Sequence, residues 1–294
     1  MQTMPIAALI YDFDLTLSPR YMQEYAYLPG IRMDPPEFWG ACRDFQEANQ
    51  VDGVLAYMYM VVEKAKGVME LTRGTFHQLG AQVEFFPGVE GWFERINAYG
   101  ASIGVAVEHY IISSGLKEII EGSSIAKAFA GIFAASFVYD ANERPIWPAT
   151  AVNYTAKTQY LFRINKGILD ITNDEDLNDY TPEEKRRVPF PNMIYIGDGL
   201  TDVPCMKMVR QKGGSSIALH SGTDTRLTDQ MILVNRADYA TQADYRPGSE
   251  LDETVRMQLH YIRCAHDCRR RHTEQNDRAR ARSGWSPNEP LPQR

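Results

Sequence analysis

The chain has 294 residues, 44% of them hydrophobic, enough to bury one large core or two unequal ones. A formal net charge of −7 disfavours general nucleic-acid binding, because phosphate backbones attract basic faces. No stretch approaches the roughly 20 apolar residues of a membrane span, the opening residues lack the pattern of a secretory leader, and four scattered cysteines do not make a disulfide framework, so a cytoplasmic protein is expected.

Residues Ile6 to Tyr11 form a short apolar run that stops at Asp12, as in a strand buried on both faces of a parallel sheet. From about Tyr21 to Gly80 the pattern is helical. Asp34-Pro35-Pro36 suits a helix start, Val54, Tyr57, Met58, Val61 and Val62 recur at helical spacing, and Gly67 suits a helix end. Phe86-Pro87-Gly88-Val89 opens another helix with Trp92, Phe93 and Ile96 on one side and Gly100 at its end. A second strand near His109–Ile112 runs into Ser113-Ser114-Gly115, followed by a predicted helix over Leu116–Ala130, a strand over Ile132–Val138 and a turn around Asn142. A helix starting near Ala156 carries Lys157. The segment Asp170–Glu184 holds seven acidic residues and reads as a solvated surface insertion. A third strand, Met193–Ile196, stops at Gly197-Asp198-Gly199. Further strands are predicted at Ser215–Leu219 and Met231–Val234, and a last helix around Leu251–Arg263. The seven arginines from Arg269 onward stand against three acids, giving a stretch of net +4 with little to bury, which is expected to be a disordered tail.

Strands alternating with helices predict an α/β protein with a doubly wound parallel sheet. The expected organisation is a core of residues 1–18 and 101–268, an inserted all-helical cap over 19–100, and the basic tail over 269–294.

In such sheets ligands bind beyond the carboxyl ends of the strands. Asp12, Ser113 and Asp198 fall at three of those ends, Asp14 and Asp202 lie just past two of them, and Lys157 begins a helix. Clustered carboxylates repel unless one takes up a proton or a cation neutralises them. An all-oxygen ligand set suits magnesium, which is held by few carboxylates together with a phosphate. A carboxylate nucleophile splits a hard phosphate-ester hydrolysis into two easier steps, and a magnesium ion, a lysine and a serine hydroxyl are the groups that neutralise and position a phosphoryl group. Each motif alone is compatible with ordinary turn residues. The order carries the signal: DFDLTLS, ISSG, a helical lysine, then GDGLTD.

These motifs resemble the haloacid-dehalogenase superfamily, specifically its phosphatases. Asp12-Phe13-Asp14-Leu15-Thr16 resembles the first motif of that family, DxDxT; Ile112-Ser113 the second; Lys157 the third; and Gly197-Asp198-Gly199-Leu200-Thr201-Asp202 the fourth, GDGxxD. The resemblance implies that Asp12 attacks phosphorus and that Asp14 protonates the leaving oxygen and then activates water. It also implies that Ser113, Ser114, Gly115 and Lys157 hold the phosphoryl group, and that Asp12, the backbone carbonyl of Asp14 and Asp198 bind a magnesium ion, with Asp202 either a further ligand or a support behind them. Thr16 would support the loop. The helical stretch matches the place of the family's cap, and Asp14 points to phosphate esters, because the dehalogenase branch lacks an aspartate there.

The nearest sub-pattern is similar to the phosphoserine phosphatases, through Ile125-Ala126 and Phe133-Ala134-Ala135-Ser136. Tyr21, however, stands where those enzymes carry the glutamate that reads the substrate amine, which puts phosphoserine itself in question. The expected function is a magnesium-dependent phosphatase acting on a small phosphorylated metabolite through an aspartyl-phosphate on Asp12. The motifs alone do not exclude phosphotransferase or mutase chemistry; the alternative of another class is a catalytically silent member that binds a phospholigand or a protein, against which the complete set of core residues weighs. In the cap, Arg43 is a candidate for a second anionic group on the substrate, while Trp39, Tyr57 and Tyr59 read as core. His109 reads as a buried, hydrogen-bonded histidine, and His260, Cys264, His266 and Cys268 as ordinary helix residues rather than a zinc site.

Overall fold

The computed structural model describes residues 4–283. Strand β1 (Ile6–Tyr11) leads into helices α1 (Tyr27–Gly30), α2 (Pro35–Asn49), α3 (Gly53–Ala65), α4 (Arg73–Gly80) and α5 (Val89–Ser102). The chain continues through β2 (Ala106–Leu116), α6 (Lys117–Glu121), β3 (Gly131–Tyr139), β4 (Pro145–Thr150), α7 (Ala156–Lys166) and α8 (Glu175–Asn178). It ends with β5 (Met193–Gly197), α9 (Val203–Gln211), β6 (Ser215–His220), α10 (Arg226–Leu233), β7 (Tyr239–Gln242) and α11 (Glu250–Ser283).

The seven strands form one sheet in the order β4-β3-β2-β1-β5-β6-β7, parallel throughout except for the antiparallel edge strand β4. Side chains alternate across it as the pleat requires. Leu9 and Tyr11 of β1 belong to one apolar cluster with Trp92, Phe93 and Ile96 of α5 and with the helices before it. Ala8 and Ile10 belong to a second cluster on the other face, with Leu161 and Ile164 of α7 and Met206 and Val209 of α9. Both faces are covered, which is why β1 and β5 are uninterrupted apolar runs. Within the 19–100 stretch, α5 packs against β2 and α11, whereas α2 and α3 pair with each other beyond the strand ends.

Four expectations are corrected. The Met231–Val234 run is the end of helix α10: Thr228 and Met231 are buried one turn apart while Leu233 is 81% exposed, a helical and not an alternating pattern. The outer parallel strand is Tyr239–Gln242 instead. The helix expected over Leu116–Ala130 lasts only five residues. It stops at Gly122, where a side chain would sit 2.1 Å from the carbonyl oxygen of His77, so α4 presses too close for the helix to run on. Residues 269–283, expected to be disordered, continue α11 as an exposed helix, with Arg270 pairing with Glu274 at i,i+4; residues 284–294 of the expected tail lie outside the described part. Finally, β2 runs through Ser113-Ser114-Gly115 rather than ending before it.

Candidate active site

The central strands bring distant motifs together. Tyr11 is in register with Ile111 of β2 and Ile196 of β5, and the amide of Asp12 donates to the carbonyl of Ile196 at 3.0 Å. Asp12 therefore leaves β1 at the level where β5 ends in Gly197-Asp198, at the point where the strand order reverses direction, the usual ligand site of an open α/β sheet.

The first loop turns sharply. Amides of Thr16, Leu17 and Ser18 all donate to the carbonyl of Phe13, and Leu15 is held at φ 58°, a left-handed conformation unusual for a bulky residue. Thr16 donates from its hydroxyl to Asp198 at 3.4 Å and accepts from the Tyr245 hydroxyl on its carbonyl at 2.8 Å. In the fourth motif Gly197 has no room for a side chain, because a Cβ would lie 2.4 Å from the Asp202 carboxylate. That close approach folds Asp202 back against the strand end.

Lys157, fully buried, bridges two carboxylates: its ammonium is 2.9 Å from Asp12 and 2.7 Å from Asp202. Asp202 also accepts from the Tyr195 hydroxyl at 2.8 Å. Asp12, Asp198 and Asp202 each present one oxygen within 4.8 Å of the others, forming a buried acidic cluster able to hold a metal ion. The Asp14 side chain is not part of it; its carboxylate accepts the Met22 amide at 2.8 Å.

The electrostatics follow from crowding. Burial lifts the Asp12 carboxyl, Lys157 opposes and Asp202 adds to the rise, leaving it at about 6. Burial and then the Asp202 and Asp12 charges push Asp198 to about 8. Asp14 is raised well above the ordinary carboxylate range, first by burial and next by Asp12. Burial alone would depress the Lys157 ammonium, but Asp12 and Asp202 outweigh it and hold it above the ordinary lysine range. Three carboxylates competing for protons around one lysine are short of positive charge, which is the condition a divalent cation relieves.

On the other side of Asp12, Ser113 is buried and its oxygen accepts the Gly115 amide at 3.0 Å, leaving the hydroxyl proton available. Gly115 allows Met22 to pack against the loop, since a Cβ there would meet the Met22 methyl at 2.0 Å. Asp12, Asp14, Ser113, Ser114, Gly115 and Asp198 open onto one pocket of about 590 Å³. Its outer wall comes from the helical region.

Tyr21, singled out in the sequence by its spacing from the first motif, is one of these wall residues; sequence reasoning did not single out Gln23, Gln46, Asp52, Asn153 and Tyr154. Asn153 hydrogen-bonds Asp52, the residue that caps α3, and the Tyr57 hydroxyl donates to the carbonyl of Ser114 at 2.6 Å, so cap and core are joined beside the pocket. Trp39 and Tyr57, read as core, line the pocket. Arg43 does not: it is exposed on α2, outside the pocket lining. The signal available for Gln46 was its position seven residues after Trp39, two turns along one helix face.

His109 is buried between Tyr11 (3.0 Å to Nδ1) and Asn97 (3.0 Å to Nε2), and burial lowers its pKa to about 3, so it is neutral. Cys264 and Cys268 are exposed on α11.

No family model matches the chain. An uncharacterized protein of Borreliella burgdorferi is 27% identical over 275 residues, covering 84% of this chain and 94% of that one. Solved structures are informative about the fold. A HAD family hydrolase from Salmonella enterica serovar Typhi matches with a TM-score of 0.53 at 14% identity, over 82% of this chain and 68% of its own. A substrate-bound phosphoserine phosphatase matches with a TM-score of 0.51 at 13% identity, over 85% and 97%. A probable phosphoserine phosphatase from Vibrio cholerae matches with a TM-score of 0.53 at 14% identity, over 90% and 69%. The chain has the haloacid-dehalogenase fold. Within that fold its acidic cluster of Asp12, Asp198 and Asp202 sits at the carboxyl ends of β1 and β5. Among the described residues no helix is long and apolar enough to cross a membrane.

Proposed function

We propose that this protein is a magnesium-dependent phosphatase that hydrolyses a small phosphomonoester through an aspartyl-phosphate on Asp12. The observation that carries the reading is the convergence of Asp12, Asp198, Asp202 and Lys157 at one pocket, with Asp14 and Ser113 opening onto it. All donors in the acidic cluster are hard carboxylate oxygens, and the single charge of Lys157 does not balance three of them, so the residues present fit magnesium. Asp12, Asp198 and the carbonyl of Asp14 would hold it, with Asp202 tied to Lys157 and Tyr195 beside them. Bound there, the ion would supply charge neutralisation for the phosphoryl oxygens.

The chain's own residues then divide the work. Lys157 orients the Asp12 carboxylate and keeps it ionised. That oxygen forms a bond to phosphorus as the ester P–O bond breaks. Asp14, whose carboxyl burial and the neighbouring Asp12 raise well above the ordinary carboxylate range, gives a proton to the leaving oxygen. The same carboxylate, now ionised, takes a proton from water as the water oxygen attacks the aspartyl-phosphate and frees Asp12. The Ser113 hydroxyl donates to a phosphoryl oxygen, and the joined cap keeps bulk water out. The test is turnover of p-nitrophenyl phosphate with magnesium. The reading requires activity that chelator removes and Asp12→Asn abolishes; folded protein with no turnover on a broad phosphomonoester panel would overturn it.

A further inference from the structure

The outer half of the pocket is unsuited to an anion. Among the described residues lining it there is no lysine, arginine or histidine, and Lys157 lies beneath, between two carboxylates. Asp52 lines its helical wall, and Glu24 stands behind Trp39, accepting from its indole N–H at 3.2 Å. A leaving group carrying a carboxylate would enter this field with no cation to receive it.

Three rings line the same space. Tyr21 and Trp39 have centroids 5.3 Å apart at 59°, and Trp39 and Tyr57 6.2 Å apart at 68°, so the rings are mutually inclined rather than stacked flat. The Tyr57 hydroxyl is occupied by the Ser114 carbonyl. The hydrogen bond from Trp39 to Glu24 fixes the indole and sets a carboxylate at its edge, and the face of a tryptophan is the best of the aromatic faces for a cation. Inclined aromatic faces with carboxylates around them and no cation beside them describe a seat for an ammonium group.

We propose that the substrate's leaving group is an amino alcohol without a carboxylate, of the ethanolamine or choline type, with its cationic head among Tyr21, Trp39 and Tyr57. This deepens, and rests on, the phosphatase reading of the same pocket. The head is read by cation–π attraction and not by a salt bridge, so positive charge, rather than shape, decides the preference.

The experiment compares phosphocholine with its uncharged isostere 3,3-dimethylbutyl phosphate, alongside phosphoethanolamine, phosphoserine and p-nitrophenyl phosphate, all with magnesium. The expected result is a kcat/KM for phosphocholine or phosphoethanolamine at least ~10-fold above that for the isostere and for phosphoserine, about 1.4 kcal/mol. Trp39→Leu, and independently Tyr21→Leu at a half-exposed position, should collapse the charged-to-uncharged ratio toward one whatever they do to absolute rates. If p-nitrophenyl phosphate is hydrolysed while the isostere or phosphoserine serves as well, the ammonium seat is refuted and the phosphatase reading stands. If no ester is hydrolysed, the phosphatase reading fails, and calorimetric titration with choline against 3,3-dimethylbutanol decides the seat. Selective binding of choline supports it, and equal or absent binding removes it.

Discussion

Replacing the missing positive charge should make the protein's stability depend on pH in a defined direction. Asp12 and Asp198 bind protons more tightly in the folded protein, at about 6 and about 8, than at their ordinary 3.8. For groups raised in this way, the stabilising contribution is fully present below about pH 4. It is lost as pH rises through the folded values, because the folded state must then give up protons it holds in preference to the unfolded one. Each pH unit over which one such proton is retained is worth about 1.4 kcal/mol. Between pH 5 and pH 8 Asp12 gives up about one such unit and Asp198 about three, so the metal-free protein should lose on the order of 5 kcal/mol from this site, roughly 10 °C in Tm at about 2 °C per kcal/mol for a chain of this size. Magnesium binds the ionised carboxylates, so its stabilisation must grow over the same interval. Differential scanning fluorimetry at several pH values, with magnesium and with chelator, measures the difference directly, and Asp198→Asn isolates the site from other titrating groups. Equal stabilisation by magnesium at pH 5 and pH 8, or an unchanged difference in Asp198→Asn, would refute the reasoning.

Three more outcomes are expected. Lys157→Met leaves two buried carboxylates facing each other without their shared ammonium, and should cost about 3–5 kcal/mol in urea unfolding and abolish turnover. Tyr57→Phe removes the hydroxyl that joins the cap to the Ser114 carbonyl; it should cost about 1 kcal/mol and raise KM more than it lowers kcat in steady-state assays. Gly197→Ala forces a methyl against Asp202, 2.4 Å away, and should weaken magnesium binding measured by calorimetry far more than it lowers Tm.

The skeleton of the candidate site was legible because short apolar runs ending in aspartate suit buried parallel strands, and β1 and β5 end where Asp12 and Gly197-Asp198 said they would. What was not legible depends on contacts between segments. Edge strand β4 carries Pro145 and Pro148, residues that argue against a strand except at an edge, where a missing donor does no harm. The Met-Ile-Leu-Val run of α10 is too short to show its period without its polar neighbours. Nothing local marks Asp202 as the second partner of Lys157, or Gln23 as a pocket wall, because the spacing that joins them exists only after the helices fold over the strand ends. Arg43 shows the converse: its residue type invited a role that its exposed position does not supply.

The helices above the site share one continuous apolar cluster with a face of the sheet, from Leu9 and Tyr11 through Phe13, Leu17 and Met22 to Tyr27, Phe38 and Met58. Lifting such a roof off its floor would therefore bare apolar side chains on both, so the helices and the sheet stand or fall as one unit and the selectivity of the roof is not portable to another sheet.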